Sequence, residues 1–194
     1  MNRYVIAAVA IIAVLLGSYL IRSRSSKTLP DGKLSQVTTA NTDATATANL
    51  NARPQITFST SKGNFTLELR PDVAPKTVAN FLAKWANNEC DGLKFHRVED
   101  WVVQGCDPLG NGTGGATTLP TEVSTENFTV GSVGVARKST PKELSNDSQI
   151  FIVTKDSPFL NNEYTYFAKV VSGMDVVSKI AVGDTILTTN ILTK

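Results

Sequence analysis

The feature that most constrains the fold is a series of short apolar runs, separated by turn-forming residues, that begins at Gln55. Runs of this kind, rich in β-branched and aromatic residues, predict strands. The first two, QITFST from Gln55 and NFTLELR from Asn64, flank a Lys62-Gly63 turn and predict a β-hairpin. The remaining runs predict strands at residues 94–98, 101–105, 132–136, 149–154, 164–171 and 185–192.

Two segments carry a helical pattern instead. In residues 71–88, Pro75 suits a first helical position, and the apolar residues Val78, Phe81, Leu82 and Trp85 recur on one face. A second, short helix is predicted over residues 174–181. Eight short strands with two helices predict a mostly β domain: a closed eight-stranded antiparallel β-barrel capped by the helices, since closure removes exposed edges.

The N-terminal region is different in character. Residues 4–21, YVIAAVAIIAVLLGSYLI, form a run of 18 positions without a charge. As a helix rising about 1.5 Å per residue, this run would span roughly the hydrocarbon core of a bilayer. Residues 1–27 are therefore predicted to be a single-pass anchor with a basic flank. A cleaved signal peptide is the alternative, although the run is long for one and no clear A-x-A site follows it.

Residues 28–54 are rich in Thr, Ala and Asn and predict a flexible linker between the anchor and a folded domain at residues 55–194. The orientation has two interpretations. Arg22, Arg24 and Lys27 follow the apolar run, whereas only Arg3 precedes it, and this bias favours a cytoplasmic domain. The long polar tether favours a domain displayed outside the cytoplasm, which is the location we predict.

The charge distribution argues against nucleic acid as a partner. The formal net charge is +2, but residues 1–54 hold six Lys/Arg and two Asp/Glu, whereas residues 55–194 hold thirteen and fifteen. A nucleic-acid-binding domain concentrates its basic residues on the folded part. Motifs for hydrolytic, metal or phosphate chemistry are also missing from the sequence, and the single histidine, His96, is expected to serve in packing or hydrogen bonding.

The run FHRVEDWVVQGCDPLGNGTGG, from Phe95 to Gly115, resembles the cyclophilin family of peptidyl-prolyl cis-trans isomerases. The resemblance continues through ENF at 126–128, VGVAR at 133–137, SQIFIV at 148–153 and FLNNEYTYFAKVVSGMDVV from Phe159. It covers residues 55–192, and five ordered motifs at family spacing make it specific.

The resemblance implies a set of site residues. Arg97 matches the family's catalytic arginine, Gln104 its peptide-binding glutamine, and Gln149 and Phe151 its SQxF signature. Arg97, Gln104 and Phe151 are the implied catalytic residues. The proline pocket would be formed by Phe151, Trp101, Val102 and Leu160 and rimmed by Phe159 and Tyr164. Ala136 and the backbone of Arg137 would bind the residues that precede the proline.

Several positions depart from the family pattern. The chain between Arg97 and Gln104 is one residue shorter than usual, so Trp101 reaches the pocket only if the hairpin tightens. Val102 stands where Met is usual, Phe159 where many members carry Trp, and Tyr164 where many carry His. Phe159 implies weak binding of cyclosporin-type macrocycles. Arg137 replaces the usual Asn, and KSTPKELSND, residues 138–147, lengthens the loop before Ser148.

The implied activity is rotation about X-Pro bonds in proline-containing polypeptides, without cofactor, metal or ATP. Amide resonance imposes a barrier of about 18–20 kcal/mol, and a fixed guanidinium can donate to the pyramidal proline nitrogen only when the amide is twisted. The resemblance and the N-terminal run together predict a monomeric enzyme that assists the folding of exported or membrane proteins. The alternative is a tethered peptide-binding module, or holdase, that uses the same groove without catalysis.

Cys90 and Cys106 both replace other residues of the family pattern. They lie at the same end of the predicted hairpin of residues 94–98 and 101–105, so a disulfide is conceivable. It would require an oxidising compartment. The sequence alone slightly favours two independent buried thiols, because it cannot supply the short Cα–Cα distance that a bridge needs.

Overall fold

The computed structural model describes residues 53–192, and every element named here lies in that range. The strands are β1 (Gln55–Thr60), β2 (Gly63–Leu69), β3 (Arg97–Glu99), β4 (Val102–Gly105), β5 (Thr117–Pro120), β6 (Ser132–Val135), β7 (Leu144–Asn146), β8 (Ile150–Val153), β9 (Tyr166–Ser172) and β10 (Ile186–Leu192). The helices are α1 (Pro75–Ala86), α2 (Met174–Val177) and a 3-10 helix at Pro158–Leu160.

The predicted anchor, residues 1–27, and the predicted linker up to Ala52 lie outside the described residues. Within residues 53–192, no helix has the length and apolar character that a membrane span requires.

Eight strands pair antiparallel in the order β10-β1-β2-β9-β6-β8-β4-β3. The prediction of a closed barrel is wrong: the sheet is a half-barrel whose end strands, β10 and β3, do not pair. The segment before β3 is joined to the start of β10 by the isolated bridge between Lys94 and Thr185 and by a few backbone hydrogen bonds on either side of it. Closure needs a continuous ladder between the first and last strands. Here β3 has three residues and begins only after the bridge, so the ladder stops.

The eight predicted strands are present with shifted ends, and helix α1 begins at Pro75 as expected. The pair β5–β7 was not predicted, because both strands are short and β5 ends in Pro120. Helix α2 is shorter than expected and ends at Val177. The alternation of β1 is clear, with Ile56 and Phe58 fully buried and their neighbours Thr57 and Ser59 partly exposed.

Two buried clusters fill the domain. The larger lies between α1 and the sheet, where Phe81 and Trp85 of α1 pack against Phe58 and Phe167. The smaller consists of Val102, Phe128, Phe151, Val153, Leu160 and Tyr166. The smaller cluster supports the candidate site.

Cys90 and Cys106 form a disulfide, with their Cα atoms 5.0 Å apart. The preference for two separate thiols is therefore wrong. The bridge joins the loop after α1 to the residue that follows β4, and both cysteines are almost completely buried. Cys106 has a φ of 61°, in the left-handed region that favours glycine.

Candidate active site

The β3–β4 hairpin brings Arg97 and Gln104 together. They are direct cross-strand partners, and Arg97 Nη1–H donates to Gln104 Oε1 at 3.1 Å. Gln104 Nε2–H in turn donates to Gln149 Oε1 at 2.9 Å, and Gln149 Nε2–H donates to the Gly114 carbonyl at 2.8 Å. This chain of amides fixes the Gln104 oxygen towards the guanidinium.

Glu99, which the sequence analysis did not single out, holds the other edge of Arg97. Arg97 Nε–H donates to Glu99 Oε1 at 2.7 Å, and the Trp101 indole N–H donates to Glu99 Oε2 at 2.9 Å. The hydrogen bond from Arg97 holds the pKa of the Glu99 carboxyl below its ordinary value. The sequence could have indicated the contact between Arg97 and Glu99, because residues two apart on a strand share a face.

Trp101 lies in the two-residue turn between Glu99 and Val102, which are paired in the hairpin. The hairpin is therefore tight, and Trp101 reaches the site as the resemblance required. Its ring lies 5.2 Å from the guanidinium carbon of Arg97 and contacts the Phe159 ring edge-to-face at 5.0 Å between centroids.

Phe151 of β8 forms the apolar floor. Its ring packs on Phe128 and meets Tyr164 edge-to-face at 5.7 Å. Gly134 on the neighbouring strand makes room for the ring, since a β-carbon there would collide with it. The result is an open cavity of about 370 Å³, lined by His96, Arg97, Trp101, Gln104, Asn111, Gly112, Ala136, Arg137, Phe151, Leu160 and Tyr164.

Three predicted site residues do not line this cavity. Val102 is fully buried beneath the cavity and does not line it, because its side chain belongs to the cluster under Phe151. Gln149 is buried and lines a smaller adjoining cavity of about 100 Å³, which also includes Gly115 and Asn146. Phe159 is 62% exposed and lines an adjoining groove that shares Trp101, Leu160 and Tyr164 with the cavity.

The cavity wall opposite Phe151 is a loop that the sequence analysis had not assigned, with Asn111 and Gly112 facing the cavity. The Asp107 carboxylate is completely buried and accepts the backbone N–H groups of Leu109, Asn111 and Gly112. Burial alone would raise the pKa of Asp107, but these three donors lower it overall. Asp107 thus fixes the loop directly after the disulfide.

His96 lines the same cavity as Arg97, although packing or hydrogen bonding was the expected role. Both ring nitrogens are buried, and neither has a hydrogen-bond partner within residues 53–192. Burial lowers the pKa of the imidazole, the nearby Asp107 carboxylate opposes this change, and Arg97 adds to it. The ring is therefore neutral near pH 7.

The Arg137 side chain is 4% exposed and is bound within the protein. Its Nε–H donates to the Glu163 carbonyl at 2.9 Å, Nη2–H to the Glu163 carboxylate at 2.8 Å, and Nη1–H to the Lys138 carbonyl at 3.0 Å. In contrast, within the described residues no hydrogen bond involves the backbone N–H or C=O of Arg137.

Comparison with known proteins gives a consistent result. The family model for cyclophilin type peptidyl-prolyl cis-trans isomerase/CLD matches residues 55–193. A probable peptidyl-prolyl cis-trans isomerase from Brucella suis is 43% identical over 135 residues, covering 62% of this chain and 68% of that protein. An Arabidopsis thaliana peptidyl-prolyl cis-trans isomerase is 34% identical over 132 residues, covering 66% and 80%.

The fold is similar to a crystal structure of a Cryptosporidium parvum cyclophilin type peptidyl-prolyl cis-trans isomerase. The TM-score is 0.68 at 26% identity, and the match covers 74% of this chain and 99% of that one. A second crystal structure of the same parasite protein, determined in the presence of the dipeptide Ala-Pro, matches with a TM-score of 0.67.

Proposed function

This chain belongs to the cyclophilin family of peptidyl-prolyl cis-trans isomerases, and on that premise we propose that Arg97 catalyses rotation of X-Pro bonds over the floor formed by Phe151. The observation that carries the proposal is the Arg97 guanidinium, fixed by Glu99 and Gln104 in the wall of the cavity to which Phe151 and Leu160 also contribute. Phe151 and Leu160 supply the apolar surface for a proline ring.

Arg97 keeps N–H donors available for the substrate. A guanidinium carries five N–H donors, and in Arg97 one on Nε and one on Nη1 are used within residues 53–192. The remaining donors can serve the proline nitrogen. That nitrogen accepts a hydrogen bond only when the amide is twisted, so the contribution of Arg97 is specific to the transition state.

The residues before the proline would cross Ala136 and Arg137 towards the smaller cavity. The backbone of Ala136 is already paired, with its N–H bonded to the Gln149 carbonyl and its C=O to the Asn146 N–H. The backbone of Arg137 is the group left to pair with an extended peptide. This arrangement supports the part of the resemblance that assigns peptide binding to the backbone of Arg137.

The proposed setting is a monomeric enzyme held to a membrane by residues 4–21, with its domain outside the cytoplasm. Its proposed clients are exported or membrane proteins. The Cys90–Cys106 disulfide supports this setting, because such bonds persist in oxidising compartments. The uncharged run of residues 4–21 supports the anchor.

The test compares catalysis with binding for one blocked Ala-Ala-Pro-Phe peptide. Magnetisation-exchange NMR with the full-length protein should show cis-trans exchange accelerated at catalytic protein concentrations. Peptide binding with no acceleration would overturn the catalytic proposal and support the holdase alternative.

A further inference from the structure

The buried side chain of Arg137 and the half-buried ring of Tyr164 form a pair at the cavity wall. The guanidinium carbon of Arg137 lies 4.5 Å from the centroid of the Tyr164 ring. A cation at this distance from an aromatic face is attracted by the ring quadrupole, and the attraction grows when water is excluded. Only 4% of the Arg137 side chain is exposed, so the guanidinium is largely shielded from water.

Tyr164 lies between Arg137 and the floor of the cavity and contacts both. Its ring meets Phe151 edge-to-face at 5.7 Å and itself lines the cavity. Within residues 53–192, the hydrogen bonds of the Arg137 side chain all go to Lys138 and Glu163, and each of its three nitrogens is a donor in one of them. The guanidinium therefore faces the tyrosine ring and the 160–164 segment, with its nitrogens already occupied.

We propose that the side chain of Arg137 positions the Tyr164 ring as one wall of the proline cavity. This side chain acts through Tyr164 and not by contact with the substrate, whereas the Arg137 backbone is left to pair with the peptide. The inference rests on the proposed placement of the proline ring over Phe151. It also gives the Asn-to-Arg departure at this position a role, because a planar cation can stack on the ring while it donates to both the backbone carbonyl and the carboxylate of Glu163.

A positioned wall contributes to binding of the proline in the ground state and the twisted state alike. Its loss should weaken peptide binding while leaving the turnover of bound peptide nearly unchanged. A donor to the reacting amide would have the opposite signature. The two roles are therefore separable by measuring the peptide Kd and the bound-state exchange rate independently.

The experiment is a double-mutant cycle on the full-length protein, with NMR line-shape analysis of the blocked Ala-Ala-Pro-Phe peptide. Arg137→Ala and Tyr164→Ala should each raise the peptide Kd about 5- to 10-fold, on the scale of one desolvated cation–π contact. The double variant should bind no more weakly than Tyr164→Ala alone, because Arg137 acts through the ring. The bound-state exchange rate should change less than about twofold in each.

Arg70→Ala is the matched control. Arg70 also lies near a tyrosine ring, at 5.9 Å from Tyr166, with its side chain 14% exposed, but it does not line the cavity. It should lower the unfolding temperature without raising the peptide Kd. Arg137→Lys keeps the charge without the planar stack, so it should raise the Kd in the same direction. This variant keeps the test available if Arg137→Ala does not fold.

Two results would overturn the inference. Additive losses of binding in the double variant would show that Arg137 acts independently of Tyr164. An unchanged peptide Kd in Arg137→Ala, together with a lower unfolding temperature, would show a structural role alone. Absence of catalysis in the wild-type protein would defeat the proposed function but not this cycle, because the Kd values remain measurable.

Discussion

Arg97 must be rigid enough to be aimed and must keep donors available for the substrate. In the part of the chain that the structure describes, its two side-chain hydrogen-bond partners come from its own hairpin: Glu99 two residues along the strand and Gln104 directly across it. With 41% of the side chain exposed, the guanidinium also faces the open side of the cavity. Preorganisation of this kind lowers a barrier because no reorientation is needed during the reaction.

The first prediction concerns Arg97→Ala. Loss of one preorganised donor should lower kcat/KM by about 10²- to 10³-fold while the domain stays folded. Exchange rates on an X-Pro peptide and the unfolding temperature measure the two parts. Arg53→Ala is the matched control, since Arg53 is exposed, bonds to Glu68 and Asp72 and lies outside the cavity. Equal activity in the two variants would remove Arg97 from the mechanism.

The second prediction is a pH dependence set by Glu99. Its pKa is held below the ordinary value of 4.5, so the carboxylate that aims Arg97 persists from neutral pH to below pH 4.5. Its contribution to stability and to activity should be present above 4.5 and be lost as the pH falls through the lower, folded-state pKa. Glu99→Gln should lower kcat/KM at pH 7 and remove this acidic limb from the profile. A limb that survives in Glu99→Gln, in protein shown to be folded by circular dichroism, would assign it to another group.

At this scale the family resemblance named residues that the structure brings together, although their roles stay a prediction. Arg97, Gln104 and Phe151 come together because their strands pair in register. The role of Arg137 could not be predicted, because its partner Glu163 is 26 positions away in the chain. The sequence did not place His96 at the cavity. The cavity wall beside His96 includes Asn111 and Gly112, which come from a loop whose path depends on the buried carboxylate of Asp107.

At the scale of elements, strands with strong alternation were predictable and short polar pairings were not. Strand β1 alternates without exception, whereas β7 consists of Leu144, Ser145 and Asn146 and pairs with a strand that ends in proline. The failure of closure was also invisible in the sequence. Residues 94 and 95 bond to Thr185 and Asp184, just before β10, whereas β3 begins at Arg97 and pairs with β4 alone.

The third prediction concerns the disulfide, which fixes the start of the loop that walls the cavity. Reduction should lower the free energy of unfolding by up to about 3 kcal/mol, the chain-entropy scale for a loop of about 15 residues. Urea unfolding with and without reductant measures this difference in free energy.

The left-handed φ of Cys106 should cost a non-glycine residue about 1 kcal/mol. Cys90→Ala/Cys106→Gly should therefore be more stable than Cys90→Ala/Cys106→Ala. Equal stability of these two variants would contradict the strain argument, and coincident urea curves would contradict the contribution of the bridge.

At the scale of the whole molecule, two independent features bear on location. The first is the uncharged run of residues 4–21, and the second is the disulfide in the folded domain. Each has its own alternative: the run could be a cleaved signal peptide, and the basic residues that follow it favour a cytoplasmic domain. A disulfide is rare in a reducing cytosol, so the bridge weighs against the cytoplasmic orientation.

The fourth prediction joins these features. The full-length protein should fractionate with membranes and resist alkaline extraction, because a spanning helix satisfies its backbone within the bilayer and is held by its apolar surface. A mature N-terminus found between residues 22 and 28 would replace the anchor by a cleaved signal. Cys90 and Cys106 are buried, so whole cells are quenched with acid and the protein is denatured before alkylation, with and without reductant; this measures whether the bridge is formed in the cell. Protection from alkylation until reductant is added, together with protease cleavage of residues 28–54 from the outer face of the membrane, is expected. Alkylation of both thiols without reductant, together with a linker that is cut only from the cytoplasmic face, would place the domain in the cytoplasm. In that orientation the reducing cytosol keeps the two thiols unbridged, and the membrane shields the linker from a protease added outside.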